Sequence, residues 1–210
     1  MFTCASCAVL ACRRAEDERG NMPKNCPMRH TEEMEAVRRK YHENPEIELF
    51  HKTSSLVESE GYARWPRVRE VIEFCKKLGY KKIGVAFCVG LRTEAAAFCD
   101  LLRRHGLEPV SVICSTGGMD KRDFGIEREQ FVHPENERET ICNPIGQAEM
   151  LRLSGTEFNV AIGLCVGHDS LFLKHSHVLA TVLIAKDRAL GHNPAAALYC
   201  PHYMSGRLNP

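Results

Sequence analysis

The sequence predicts an α/β fold: a small doubly wound, mainly parallel four-stranded sheet, preceded by a cysteine-rich metal-binding leader and a helical arm. Three observations lead there. Short apolar runs alternate with amphipathic stretches of helix length from Pro66 onward, two of those runs end in the same Cys-Val-Gly, and the first thirty residues hold four cysteines without apolar periodicity. The organisation expected is a leader over 1–30, an arm over 31–65 and an α/β domain over 66–210.

The leader contains Cys4, Cys7, Cys12 and Cys26 and is broken by Gly20, Pro23 and Pro27, so it cannot build a core unaided. Its spacing is C-x2-C-x4-C-x13-C-P, in which a short hairpin can offer two thiolates and the flanking turns two more. Zinc ribbons usually supply two close pairs, whereas only Cys4 and Cys7 are paired here. A final Cys-Pro is common in ferredoxin-like sites, which favours an iron–sulfur cluster over zinc, although zinc accepts the same four thiolates. In the arm, a helix is expected from Thr31 to about His42, stopped by Asn44-Pro45. A second follows from Glu46 to Glu60, with Gly61 as its C-terminal cap.

From Pro66 the pattern is regular. Val68, Val71, Ile72, Cys75 and Leu78 mark one helix face, ended by Gly79. Lys82–Cys88 reads as a buried strand, and Gly90-Leu91 then opens a helix whose inward face is Ala95, Phe98, Cys99 and Leu102. Pro109–Cys114 is the next strand, completing a βαβ unit. Residues 115–143 lack periodicity, and loops of this length are usually functional or mobile. A helix starts at Pro144, capped by Asn143, and runs to Gly155. Strand Phe158–Cys165, a helix from about His168 to Lys174 and strand Val178–Ala185 form a second βαβ unit.

Composition bounds the function. Lys plus Arg number 28 against 27 Asp plus Glu, a balance without the basic footprint that nucleic acid requires. No apolar run approaches the length that crosses a bilayer, and no secretory signal pattern is recognised, so no membrane association and a cytoplasmic location are expected. The chain has 11 cysteines. Disulfides do not persist in a reducing compartment, so metal binding is the favoured use, with Cys75 and Cys99 assigned to core stripes.

The segments Gly84-Val85-Ala86-Phe87-Cys88-Val89-Gly90 and Ala161-Ile162-Gly163-Leu164-Cys165-Val166-Gly167 echo each other. A strand order of 2-1-3-4 would set the two side by side where the winding reverses, the place where open α/β sheets bind ligands. Cys114 also ends a strand, and Cys142 precedes the helix at Pro144. Cys88, Cys142 and Cys165 all lie before helix N-termini, which favour thiolates and anionic clusters. The expectation is a tetrathiolate site of Cys88, Cys114, Cys142 and Cys165. Cysteines so far apart in sequence suit a bulky cluster better than a small structural zinc. The competing reading makes Cys88 and Cys165 packing residues.

Polar residues fall on the same rim. His168 and Asp169 begin a helix, where Asp169 can equally be a dipole-complementing charge. Lys186, Asp187 and Arg188 leave the last strand, followed by His192-Asn193-Pro194, and are candidates for proton donation or anion binding. Cys200-Pro201-His202 is a further ligand or incidental.

The strings Phe87-Cys88-Val89-Gly90-Leu91, Cys142-Asn143-Pro144-Ile145, Gly163 to Phe172 and Lys186-Asp187-Arg188 with His192-Asn193-Pro194 resemble the domain-of-unknown-function family 1847. Its members are bacterial and archaeal proteins predicted to bind metal, many from anaerobes. The likeness spans nearly the whole chain. It implies that the leader and rim cysteines are shared family features and that Cys75, Cys99 and Cys200 are not, and it implies no particular reaction.

The function expected is therefore cysteine-ligated iron–sulfur binding, most readily 4Fe-4S, with an electron-transfer, redox-sensing or cluster-based role toward a partner protein or small molecule. Two alternatives stay open: a structural zinc protein, or a cysteine enzyme using Cys88 or Cys165 as nucleophile or persulfide carrier with His168 as base. The sequence does not specify an oligomeric state.

Overall fold

The computed structural model describes residues 1–208. The chain divides into two compact units, Met1–Leu56 and Val57–Pro210. In the first, the leader forms short 3-10 turns at Cys4–Ser6, Ala11–Arg13, Glu16–Glu18 and Pro27–Arg29, followed by helix α1 (Thr31–Glu43). Helix α2 (Pro45–Gly61) contains the division between the units. Asn44 separates the two helices by capping the second: its side-chain oxygen accepts from the backbone N–H groups of Glu46 and Ile47.

The second unit continues with α3 (Arg67–Lys77), β1 (Lys82–Phe87), α4 (Arg92–Arg104), β2 (Glu108–Ile113), α5 (Pro144–Leu153), β3 (Phe158–Ile162), α6 (His168–His175) and β4 (Ala180–Ile184). All pairings are parallel and the order is β2-β1-β3-β4. The winding therefore reverses between β1 and β3, as the paired βαβ units lead one to expect. Short helices α7 (Ala195–Tyr199) and α8 (Pro201–Leu208) follow, neither anticipated from the sequence.

Alternation along the central strands divides the core between two faces. Phe87 lies against α4 and Phe158 meets Phe74 of α3, with ring centroids 5.5 Å apart. On the other face Ala86 and Ala161 pack with Ala148 and Leu151 of α5 and Phe172 of α6, and Cys88 and Cys114 belong to this second cluster. The helix cap expected at Asn143 is present, its side-chain oxygen accepting from the Gly146 N–H at 2.8 Å.

Strand ends differ from the sequence reading in one instructive place. β3 stops at Ile162 rather than running to Cys165, because Gly163 turns into the left-handed region (φ +63°). A side chain there would also overlap Leu91. Cys88 thus follows its strand directly, whereas Cys165 stands three residues past the end of its own, and the two Cys-Val-Gly segments are not geometric copies. Among the described residues, no helix is long and apolar enough to cross a membrane.

Candidate functional site

The carboxyl ends of β1, β2 and β3 bring four cysteines into one neighbourhood. Cys88 and Cys114 are buried, and Cys142 packs against the same cluster. The thiols are close enough to perturb one another's ionisation, Cys88 with Cys114 and Cys114 with Cys142. Cys165 lies within electrostatic range of Cys142. The backbone holds the series in place: Cys114 N–H donates to Phe87 O at 2.8 Å, and Asn143 N–H donates to Cys114 O at 2.7 Å. Gln147 of α5, fully buried, ties the strand ends together by donating from Nε2 to Phe87 O at 3.2 Å and Val112 O at 2.8 Å.

Donors surround the sulfurs. Val89 N–H points at Cys114 Sγ at 3.4 Å, and the Gly90 backbone favours the Cys88 thiolate. Lys186 Nζ stands 3.2 Å from Cys88 Sγ, and Arg188 Nη2 3.2 Å from Cys165 Sγ. Such donors favour thiolates, but the balance differs along the series. The neighbouring Cys114 thiol and burial push Cys88 up to about 12, outweighing Lys186 and Gly90. Cys114 is also raised, first by its bond to Cys142 and then by burial. Cys142 is lowered, because the Cys114 thiol hydrogen-bonds to it. Among Cys88, Cys114 and Cys142, the shifts thus favour the thiolate at Cys142 and the thiol at Cys88.

The polar candidates separate by role. The Asp187 carboxylate accepts from Ala189 N–H at 3.0 Å and Leu190 N–H at 2.9 Å, so it shapes the turn that carries Lys186 and Arg188. Asp169 accepts from its neighbour Ser170 N–H at 2.7 Å in the first turn of α6. His168 begins the same helix, and its buried Nδ1 has no hydrogen-bond partner among the described residues. Among the described residues, Gln147 Oε1 is likewise buried and unpartnered. Nothing in the sequence marked Gln147; only a Gln on the inward face of a helix beginning at the rim could have drawn attention to it.

Residues 115–143 are an ordered loop. Asp120 pairs with Arg122 and Arg138, Lys121 pairs with Glu139, and Asp120 bridges to Thr140 in antiparallel fashion. The loop also buries Phe131. Cys75 and Cys99 are buried on α3 and α4, and burial pushes Cys75 up to about 12. Both fit the packing role expected of them.

In the first unit, Cys4, Cys7 and Cys26 line one cavity of about 190 Å³. Asn25 closes it by donating from Nδ2 to Thr3 Oγ1 at 2.8 Å and Met1 O at 3.1 Å, bringing the Cys-Pro turn to the first turn of the chain. Cys12 does not line this cavity; it sits exposed in its own 3-10 turn. Among the described residues, no group of three or more His, Cys, Asp and Glu side chains is arranged to hold a single metal ion as it stands.

Comparison with known proteins matches residues 26–183 to the family described as "Protein of unknown function (DUF1847)". The chain is also 44% identical over 153 residues to "Uncharacterized protein MJ0455" of Methanocaldococcus jannaschii, an alignment covering 73% of this chain and 77% of the relative. The chain belongs to the DUF1847 family.

Proposed function

We propose that this DUF1847 member is an iron–sulfur protein in which Cys88, Cys114, Cys142 and Cys165 ligate a cluster, most readily 4Fe-4S, at the reversal point of the sheet. One observation carries the reading. Thiols from four separate segments meet in one neighbourhood, with a cation bonded to a sulfur on each side.

The residues fit such a group. Backbone N–H groups and cationic side chains directed at sulfur are what an anionic cluster needs when it is withdrawn from water. Among the described residues, no group of three or more such donors is arranged around a single ion. A bound cluster would supply one-electron transfer. The chain's part is to shield the sulfurs beneath α5 and α6, direct N–H donors at them and supply compensating charge. A redox role toward a partner protein or small molecule follows from this chemistry.

A second reading concerns the leader, where Cys4, Cys7 and Cys26 share a cavity. A metal there would fasten the two ends of a segment that has little core of its own.

Anaerobically purified protein, assayed for iron, zinc and acid-labile sulfide, tests both. The rim reading expects brown protein containing iron and sulfide, with part of both lost in Cys88→Ser and Cys165→Ser. The leader reading expects a separate loss in Cys7→Ser. Protein with zinc and no sulfide, or full iron and sulfide in both rim variants, overturns the rim assignment.

A further inference from the structure

We infer that Lys186 and Arg188 are the charge-compensating pair of the rim centre, and that they make it easier to reduce than its four thiolates alone would allow. The inference rests on the iron–sulfur reading and deepens it.

The two cations sit two residues apart on the loop after β4, and each takes the cysteine of a different Cys-Val-Gly segment. Lys186 Nζ is 3.2 Å from Cys88 Sγ, and Arg188 Nη2 is 3.2 Å from Cys165 Sγ. Arg188 is also within electrostatic reach of Cys88 and Cys142. Their placement is built into the backbone. Asp187, between them, accepts two N–H bonds from the residues that follow, while its own N–H donates to His192 Nδ1 at 3.1 Å and its carbonyl accepts from His192 N–H at 2.8 Å. Among the described residues, neither cation is paired with a carboxylate. Lys186 also passes where a side chain is missing: a Cβ on Gly90 would stand 3.3 Å from its Nζ.

A tetrathiolate 4Fe-4S centre is dianionic when oxidised and trianionic after taking up one electron, with no bond made or broken. Burying that charge is costly unless opposite charge lies close by. Two cations bonded to ligand sulfurs offset the dianion and stabilise the trianion more, since attraction grows with the charge attracted. Net charge and hydrogen bonds to sulfur are among the factors that set cluster potentials. Lys186 and Arg188 are positioning residues in this sense; they act on the centre through its ligands.

The test is an anaerobic titration of the loaded protein with dithionite, following the redox wave that is absent from Cys88→Ser. Lys186→Met and Arg188→Met should each shift the midpoint to more negative potential, and the double variant further. Lys186→Arg and Arg188→Lys should stay near the wild-type value, with iron and sulfide per chain unchanged. Neutral variants that keep the cluster and titrate at the wild-type midpoint overturn the inference, as do conservative variants that shift as far as the neutral ones. If the neutral variants lose the cluster, the conservative ones must retain it at the wild-type potential; loss in both sets also overturns the inference. Wild-type protein without iron and sulfide sinks the cluster reading itself, whereas a full cluster insensitive to these side chains sinks only the pair.

Discussion

The side-chain amide of Asn159 occupies the space that a side chain on Gly84 would need. The two are register partners on β3 and β1, at the centre of the sheet. Asn159 is fully buried and bonded at both ends of its amide: its Oδ1 accepts from Thr156 Oγ1 at 2.8 Å, and its Nδ2 donates to Ser176 Oγ at 2.8 Å, which in turn donates to Val178 O. Gly84→Ala must push this network or Leu151 aside, at a cost of about 1–3 kcal/mol for overpacking. The expected readout is a lower urea midpoint at an unchanged m value. Asn159→Ala makes room, so the double variant should lose less than the two single losses added together. A Gly84→Ala midpoint equal to wild type would show that the network yields freely.

Asp187 lies at the rim and reads from the sequence as a candidate for proton donation or anion binding, yet its carboxylate serves the backbone of its own turn. An amide oxygen can accept the same bonds, so Asp187→Asn should keep the turn and Asp187→Ala should lose it. Removing the bonds costs about 1 kcal/mol, or roughly fivefold faster hydrogen exchange at Ala189 and Leu190. If Asp187→Asn behaved like Asp187→Ala, the carboxylate charge rather than its acceptor geometry would be what the loop requires.

What the sequence made legible was local. Apolar runs of strand length, Asn143 before a helix and the reversal implied by paired βαβ units all act through neighbouring residues, and the sheet order and that helix cap follow from them. What it hid depends on contacts across the fold. Periodicity could not end β3 at Ile162, because the cause is a left-handed Gly163 beneath Leu91. The loop over 115–143 looked featureless since its order comes from ion pairs such as Lys121 with Glu139, which have no period. Gln147 carries no local signal, whereas its amide joins two strands. In the leader, four cysteines read as one set, but the turn at Ala11–Arg13 sets Cys12 apart from the cavity of the other three.

The loop over 115–143 should loosen in acid. The Arg122 side chain, with its backbone N–H, holds Asp120 at about 2. Lys121, helped by the His133 and Val132 N–H groups, holds Glu139 at about 2. Both values lie below the ordinary ones of 3.8 and 4.5. A depressed carboxylate adds stability that is fully present above its unfolded value and is lost as pH falls through its folded value. The window is therefore from about 4.5 down to about 2. Pepsin should leave the loop intact near the upper end and cut between residues 115 and 143 near the lower end, while Asp120→Asn should be cut throughout. Equal resistance of wild type and Asp120→Asn across the window would show that these pairs do not hold the loop.

Gln147 gives the most direct test of how the strand ends beneath Cys88 and Cys114 are fixed. Its Nε2 donates to Phe87 O and Val112 O from a fully buried position. Gln147→Met removes the donor while nearly keeping the volume, leaving acceptors poorly satisfied at a cost of about 1–3 kcal/mol. Gln147→Glu is closer in shape and should be worse at neutral pH, because it sets an anionic oxygen against two carbonyl oxygens without water. Burial among acceptors raises the folded-state pKa of such a glutamic acid above its unfolded value of about 4.3. The protonated acid can still donate one bond, so the variant is least impaired below that unfolded value and loses stability as pH rises from it toward the raised folded value. Urea midpoints relative to wild type should therefore fall for Gln147→Glu between pH 5 and pH 8 and stay level for Gln147→Met. A Gln147→Glu deficit that does not change with pH would mean that the side chain reaches water, and the strand ends beneath the cysteines would then be held by the backbone ladder alone.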